Sequence, residues 1–285
     1  MHAEHAIAAL GAGSHVLCEK PMATQVHDAE RMVAAARHAG RVLAVGMVRR
    51  MFPCLADARD LLSTGALGDQ LRFVYREGTV YGWPARTDAA FRRATAGGGV
   101  LTDLGSHVFD FLFALFGAPT GLSYADDGQA EGVETNGRVE LNFARAQGVA
   151  QLSWSQPLVT GLHIVGSNAE IRLDPGRIDS VLFRPRGGDW EARSSLRTSA
   201  VDLRRAPRME SPSTYYACIL HQVVRTLRAA IYGEPVGATA EDGLAVVRTI
   251  ESCYREATSL QLPWLTPAEQ ERADDRHWNR VRWAA

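Results

Sequence analysis

One lysine, Lys20, stands against 30 arginines in a total of 31 basic side chains. Arginine is a planar, permanently charged fork. Lysine is a compact ammonium that fits a tight site and exchanges a proton when desolvated. A lysine retained where arginine is used everywhere else is a candidate for chemistry, with chance survival at the surface as the plainer reading. Cysteine is also scarce. Cys18, Cys54, Cys218 and Cys253 lie far apart, with no CxxC or Cys/His ligand spacing. That argues against a zinc site and for reduced, buried thiols in a cytoplasmic protein. No apolar run approaches about 18 residues, so no membrane span is expected. The opening MHAEHAIAALGAG lacks a basic stretch and a long apolar run, so no secretion signal is expected. A net charge of −1 gives no electrostatic reason to bind nucleic acid or an anionic membrane. The expected partner is a small molecule.

The 285 residues, 46% of them hydrophobic, suffice for one or two domains with a substantial core. Ala6, Ile7, Ala9 and Leu10 have helical spacing, ended by the glycines of GAG. HVLCE reads as a short buried strand. TQVHDAERMVAAARHAG reads as a helix, with Thr24 as N-cap, Gly40 as stop, and an apolar face of Val26, Ala29, Met32 and Val33. RVLAVG is the next strand. Helix, strand, helix, strand at this pitch is the rhythm of a parallel sheet with covering helices. After Gly46 the texture changes. PCLADARDLLSTGALG reads as a helix and LRFVYREGTVYGW as a long strand. GRVELNF, GVAQLSWS, GLHIVG and AEIRL, separated by Gly, Asn, Asp and Pro turns, suggest a largely antiparallel sheet. Two helical stretches follow, STYYACILHQVVRTLRAAIYG and TAEDGLAVVRTIESCYREATS. The tryptophan-bearing end, PWLTPAEQERADDRHWNRVRWAA, reads as a docking helix or a frayed tail.

AGGGVLTDLGSHVFDFLFALFG runs three glycines into a strongly apolar helix. Asp103 and His107 stand at i, i+4 on it, with Asp110 at i, i+7, in one narrow polar stripe. Such a pair among apolar neighbours needs partners. It reads either as a satisfied core histidine or as a catalytic pair. Gly105 between them costs about 1 kcal/mol relative to alanine in a helix, which suggests a ligand approaching the helix there. Without a second histidine at i+4 or a nearby cysteine, no metal is expected.

HAEHAIAALGAGSHVLCEKPMAT, VGMVRRMFP, GALGD and AGGGVLTDLGSHVFDFL, in this order, resemble the Gfo/Idh/MocA family of NAD(P)-dependent sugar and inositol oxidoreductases. The resemblance implies an α/β fold: part of a Rossmann domain over 1–48, then an α+β domain with a large, mostly antiparallel sheet over 49–285. It implies a catalytic set of Lys20, Asp103 and His107. His107 would take the substrate hydroxyl proton, Lys20 would polarise that oxygen, and Asp103 would orient and relay. Glu19, Lys20, Pro21 and Arg50 would contact the cofactor, NAD or NADP. Tyr81 and Arg92 would join Asp103 and His107 around a sugar-like substrate. Arg50 and Arg92 or Arg93 are weaker candidates that also read as solvated surface, and Tyr81 and Trp83 also read as packing at a strand end. A homo-oligomer through the sheet domain is expected. The family's Gly-x-Gly-x-x-Gly turn after a first strand has no counterpart: GAGSHV precedes a strand and GGGVLTDLG follows a loop. The expectation is that roughly 70 residues of the nucleotide fold would precede this chain, with Met1 an internal or misplaced start. The alternative is a short, non-catalytic sugar-binding or regulatory protein.

Overall fold

The computed structural model describes residues 2–82, 84, 87–128, 132–174, 176–194, 214–261, 267 and 271. The chain opens with helix α1 (His2–Gly11), strand β1 (Val16–Cys18), helix α2 (Val26–Ala39) and strand β2 (Leu43–Val45). β1 and β2 pair in parallel, Val16 opposite Leu43 and Cys18 opposite Val45. The helical spacing read from the sequence puts Ala29, Met32, Val33 and Ala36 inside, and Gly40 closes α2 in the left-handed conformation at φ 60°. Thr24 does not cap this helix. The N-cap is Gln25, without a side-chain bond, and the Val26 N–H donates to Glu251 at 2.9 Å.

A 3-10 turn (Val48–Met51) leads into α3 (Pro53–Ser63) and β3 (Leu71–Gly78). β3 ends at Gly78, shorter than the alternation to Trp83 suggests, and Trp83 lies outside the described residues. A short helix α4 (Arg93–Ala96), a π-helical turn (Leu101–Gly105) and α5 (Ser106–Phe116) follow. Next come β4 (Gly121–Asp126), β5 (Asn136–Asn142), β6 (Ala146–Ser153), β7 (Leu158–Val165), β8 (Ala169–Asp174), β9 (Arg177–Pro185) and β10 (Glu191–Arg193). The described chain continues through α6 (Tyr215–Tyr232) and α7 (Ala240–Arg255) to β11 (Thr258–Ser259). The segment read as a docking helix or tail falls largely outside the described residues.

Nine strands form one sheet in the order β10-β9-β8-β7-β3-β6-β5-β4-β11. Its pairings are antiparallel except β3 with β6 and β11 with β4. β3, first in sequence, is central because β6 and β7 add to its two sides. Its alternation buries Leu71, Phe73 and Tyr75 on the side that α5 covers. There Phe73 stacks on Phe116 at 5.4 Å between centroids, and Tyr75 meets Phe111 edge-on at 6.4 Å. Each such pair contributes about 0.5–1.5 kcal/mol beyond its buried area. The 24-residue run Arg93–Phe116 is long and apolar enough to cross a membrane by composition alone, against the expectation from sequence. It lies 61% buried inside the fold, so packing on the sheet accounts for its apolarity.

α7 joins the two sheets. It touches α2, β2 and α5, and the Val45 N–H donates to the Ala238 carbonyl at 3.1 Å. One cluster of buried side chains runs from Ala3 to Ala257, across the expected boundary at 48/49. A capping box starts α7: Thr239 Oγ1 accepts from the Asp242 N–H at 3.1 Å, and Asp242 Oδ2 accepts from the Thr239 N–H at 2.8 Å. T239A should therefore lower stability by about 1 kcal/mol, read as an earlier midpoint in chemical denaturation at unchanged slope. An unmoved midpoint would mean that packing alone sets this helix start.

Candidate functional site

In open α/β sheets, ligands bind outside the carboxyl ends of parallel strands. Glu19, Lys20 and Pro21 leave β1 at that end, joined by a cis Lys20–Pro21 peptide, and Gly46 leaves β2 beside them. A Cβ at Gly46 would stand 2.9 Å from Glu19 Oε2 and 3.3 Å from its Cα. Glycine lets the two strand exits lie side by side.

Lys20 reaches across 83 positions of sequence to Asp103. Its Nζ donates to Asp103 Oδ1 at 2.5 Å and to the Asp103 carbonyl at 3.2 Å. The two side chains are 18% and 38% exposed, so the pair sits at a partly open surface. Asp103 lies within the π-helical turn, a form wider than the α-helix expected from its spacing and frequent at functional sites. His107 follows four residues later. Its Nδ1 is buried, with no hydrogen-bond partner among the described residues. Burial, then the positive charges of Arg49 and Lys20, hold its pKa well below 6.5. The structure thus brings Lys20, Asp103 and His107 together. Asp103 spends its Oδ1 on the lysine, although the resemblance implied an orienting and relaying part for it.

Gly105 serves packing instead of ligand approach. A Cβ there would lie 3.0 Å from Leu101 and 3.4 Å from Leu152 of β6, both core side chains.

Arg50, expected at the cofactor, forms two ion pairs with the protein. Its guanidinium binds Asp110 at 2.8 Å and Asp242 at 3.0 Å. Burial pushes the Asp110 carboxyl up to about 6 against the pull of Arg50. Burial would also raise Asp242, but its bonds from Thr239 and the charge of Arg50 hold it below the usual carboxylate range. The neighbouring Arg49, which sequence reasoning passed over, is the arginine whose charge, with that of Lys20, reaches His107. It is 9% exposed. It binds Glu77 through two bonds of 2.7 and 2.6 Å and donates to Tyr75 Oη at 2.7 Å. Both arginines stand in VRRMFP, so the motif was visible and the division of labour was not.

Tyr81 lies beyond β3 in an aromatic trio, 5.1 Å from the ring of Phe91 and 5.1 Å from that of Trp154. Arg92 is paired with Asp88 at 2.6 Å, both well exposed, as the surface reading of this arginine holds. Arg93 instead lies over the ring of Tyr254 at 4.2 Å. Sequence reasoning also missed Glu134, fully buried between β4 and β5, whose Oε1 accepts from the amides of Gly99 and Leu101.

A parallel strand pair that ends at the Lys20–Asp103 contact, set against a large mixed sheet, is a two-part α/β architecture. Comparison with known proteins agrees. Residues 1–47 match the model of an oxidoreductase family with an NAD-binding Rossmann fold, and residues 55–172 match the GFO/IDH/MocA C-terminal domain. The chain belongs to the Gfo/Idh/MocA family. It is similar to the scyllo-inositol 2-dehydrogenase (NADP(+)) IolW of Bacillus subtilis, 26% identical over 281 residues, covering 90% of this chain and 74% of that protein. It is 36% identical over 143 residues to the 1,5-anhydro-D-fructose reductase of Ensifer adhaerens, covering 47% of this chain and 41% of that protein. Among solved structures it resembles the aldose-aldose oxidoreductase of Caulobacter crescentus in complex with glycerol. The TM-score is 0.73 at 27% identity, covering 90% of this chain and 73% of that one. The chain thus spans only part of the length of each.

The charges around His107 set a testable titration. In a histidine-labelled sample, its NMR midpoint should lie below 6.5, and K20M should move it upward because a nearby positive charge is removed. A wild-type midpoint at or above 6.5 would contradict this electrostatic picture.

Proposed function

We propose that the chain belongs to an NAD(P)-dependent oxidoreductase transferring a hydride between a nicotinamide cofactor and a hydroxyl or carbonyl carbon of a sugar or cyclitol. The supporting observation is the meeting of Lys20, Asp103 and His107 at the carboxyl end of β1. The family's NAD-binding Rossmann description and the sugar and cyclitol relatives point the same way.

The residues present suit the nicotinamide end of such a cofactor. Glu19, Lys20 and Pro21 line the strand exit, Gly46 keeps that exit free of a side chain, and the buried Nδ1 of His107 has no hydrogen-bond partner among the described residues. A bound nicotinamide supplies the hydride acceptor in one direction and the donor in the other. His107, neutral at neutral pH because burial and two cations depress its pKa, takes the hydroxyl proton during oxidation. Lys20 stabilises the oxygen as negative charge grows on it, and Asp103 holds the ammonium in place. The buried Arg49–Glu77 pair keeps a fixed positive charge near the imidazole. The proposal includes a homo-oligomer formed through the sheet domain. The proposal includes a cytoplasmic setting, in which the buried thiols of Cys18, Cys54, Cys218 and Cys253 stay reduced.

The test combines binding and turnover. The chain should quench or enhance NADH fluorescence on titration, and it should oxidise some member of a polyol panel with NAD or NADP. K20A should lower kcat by about 100-fold or more, as loss of a single charge-stabilising donor does. Undiminished turnover in K20A, or sugar binding in a calorimeter that ignores the cofactor, would overturn the proposal.

A further inference from the structure

The π-helical turn that bears Asp103 and runs on into α5 with His107 is anchored at its start by a residue from a distant loop. Glu134 is 0% exposed. Its Oε1 accepts from the Gly99 N–H at 3.0 Å, the Leu101 N–H at 3.0 Å and Tyr254 Oη at 2.7 Å. Its backbone carbonyl accepts from the Val100 N–H at 3.1 Å. Three consecutive amides are therefore committed to one residue. The first amides of a helix have no partner within it, and an acidic side chain suits that end of the helix dipole.

The surroundings admit this arrangement and little else. A Cβ at Gly99 would run into the Glu134 carbonyl oxygen, and one at Gly98 into Tyr254 Oη and Thr102 Oγ1. Tyr254 Oη and Thr102 Oγ1 share a bond of 2.9 Å, which ties the same network to the residue before Asp103. None of the hydrogen bonds of Glu134 goes to Lys20, Asp103 or His107, so its effect on them passes through the backbone. Gly99 also receives the Asp103 N–H on its carbonyl at 3.1 Å.

We propose that Glu134, with Tyr254 and Thr102, is a positioning residue for the Lys20–Asp103–His107 site, fixing the height and rotation of the turn so that Asp103 meets Lys20. The geometric part stands on the bonds above. Only its effect on turnover rests on the proposed function. The acceptor oxygen carries the role. Burial, with the Asp126 charge adding to it, raises the Glu134 pKa; the amide of E134Q keeps an acceptor oxygen of the same reach for the Gly99 and Leu101 amides.

The experiment compares E134Q, E134A and Y254F with the wild type by NMR of the His107 ring in histidine-labelled protein, and by steady-state kinetics. E134Q should keep the wild-type His107 signals and a kcat within about threefold. E134A should shift those signals and lower kcat by about 10- to 100-fold with the cofactor KM little changed, as displaced reacting groups do. If E134A does not fold, Y254F, which removes one donor from the network, should shift the same signals by a smaller amount. The proposal is overturned if folded E134A, or Y254F in its place, shows wild-type His107 signals, or if E134Q is as damaging as E134A. The NMR comparison decides without turnover, so a failure of the proposed reaction would be recognised separately.

Discussion

The contact between Lys20 and Asp103 constrains the rest of the molecule. An ammonium at the end of β1 must reach both the carboxylate and the backbone carbonyl of one residue, 83 positions later and on another layer. A point-like donor with three protons meets two acceptors of the same residue, whereas a planar fork favours two parallel acceptors. This is a physical reason for a lysine at position 20 in a chain that otherwise uses arginine. For the contact to form, the β1 exit must lie against Gly46, and the helix under the sheet must start at a fixed height. The first condition is met by the missing side chain at Gly46. Aromatic packing of α5 beneath β3 and the bonds at Gly99–Leu101 meet the second.

The arginines show the complementary use of a planar cation. Arg49 lies flat against Glu77 through two bonds, and Arg50 bridges Asp110 of α5 and Asp242 at the start of α7. Buried pairs of this kind add little net stability over a well-packed apolar replacement, but they are costly to break and set orientation. Arg50 therefore fixes how α5 and α7 meet beside the 3-10 turn. Asp242 serves the capping box of α7 at the same time, so one carboxylate couples a helix start to the helix that carries His107.

Much of the fold was legible because burial imposes period. Ala29, Met32 and Val33 mark the inner face of α2, and Leu71, Phe73 and Tyr75 the inner face of β3, each at the spacing its element requires. The grouping of Lys20, Asp103 and His107 came from the family resemblance that their motifs carry, since no local period links residues so far apart. What escaped is what pairing across the chain decides. Thr24 looked like an N-cap, but Glu251 supplies the bond from another helix. Gly105 looked like room for a ligand, but the room is taken by Leu152 from the sheet. The parallel pairing of β3 with β6 and the π-helical turn leave no local signature in the letters. Glu134 sits in an unremarkable stretch, and its burial follows only from the glycines opposite it.

The electrostatics of the cluster decide the chemistry that it can support. An aspartate bonded to an imidazole would favour the imidazolium, raising its pKa and spoiling a proton acceptor at neutral pH. Here the Asp103 Oδ1 is engaged by the lysine, while two cations and burial act on the histidine. The imidazole therefore stays neutral and ready to accept. In the proposed reaction the Lys20 ammonium, held by Asp103, is the group that meets the oxygen losing its proton. In the proposed reaction this division separates proton acceptance from charge stabilisation, and a hydroxyl giving up its proton and its hydride needs both at once.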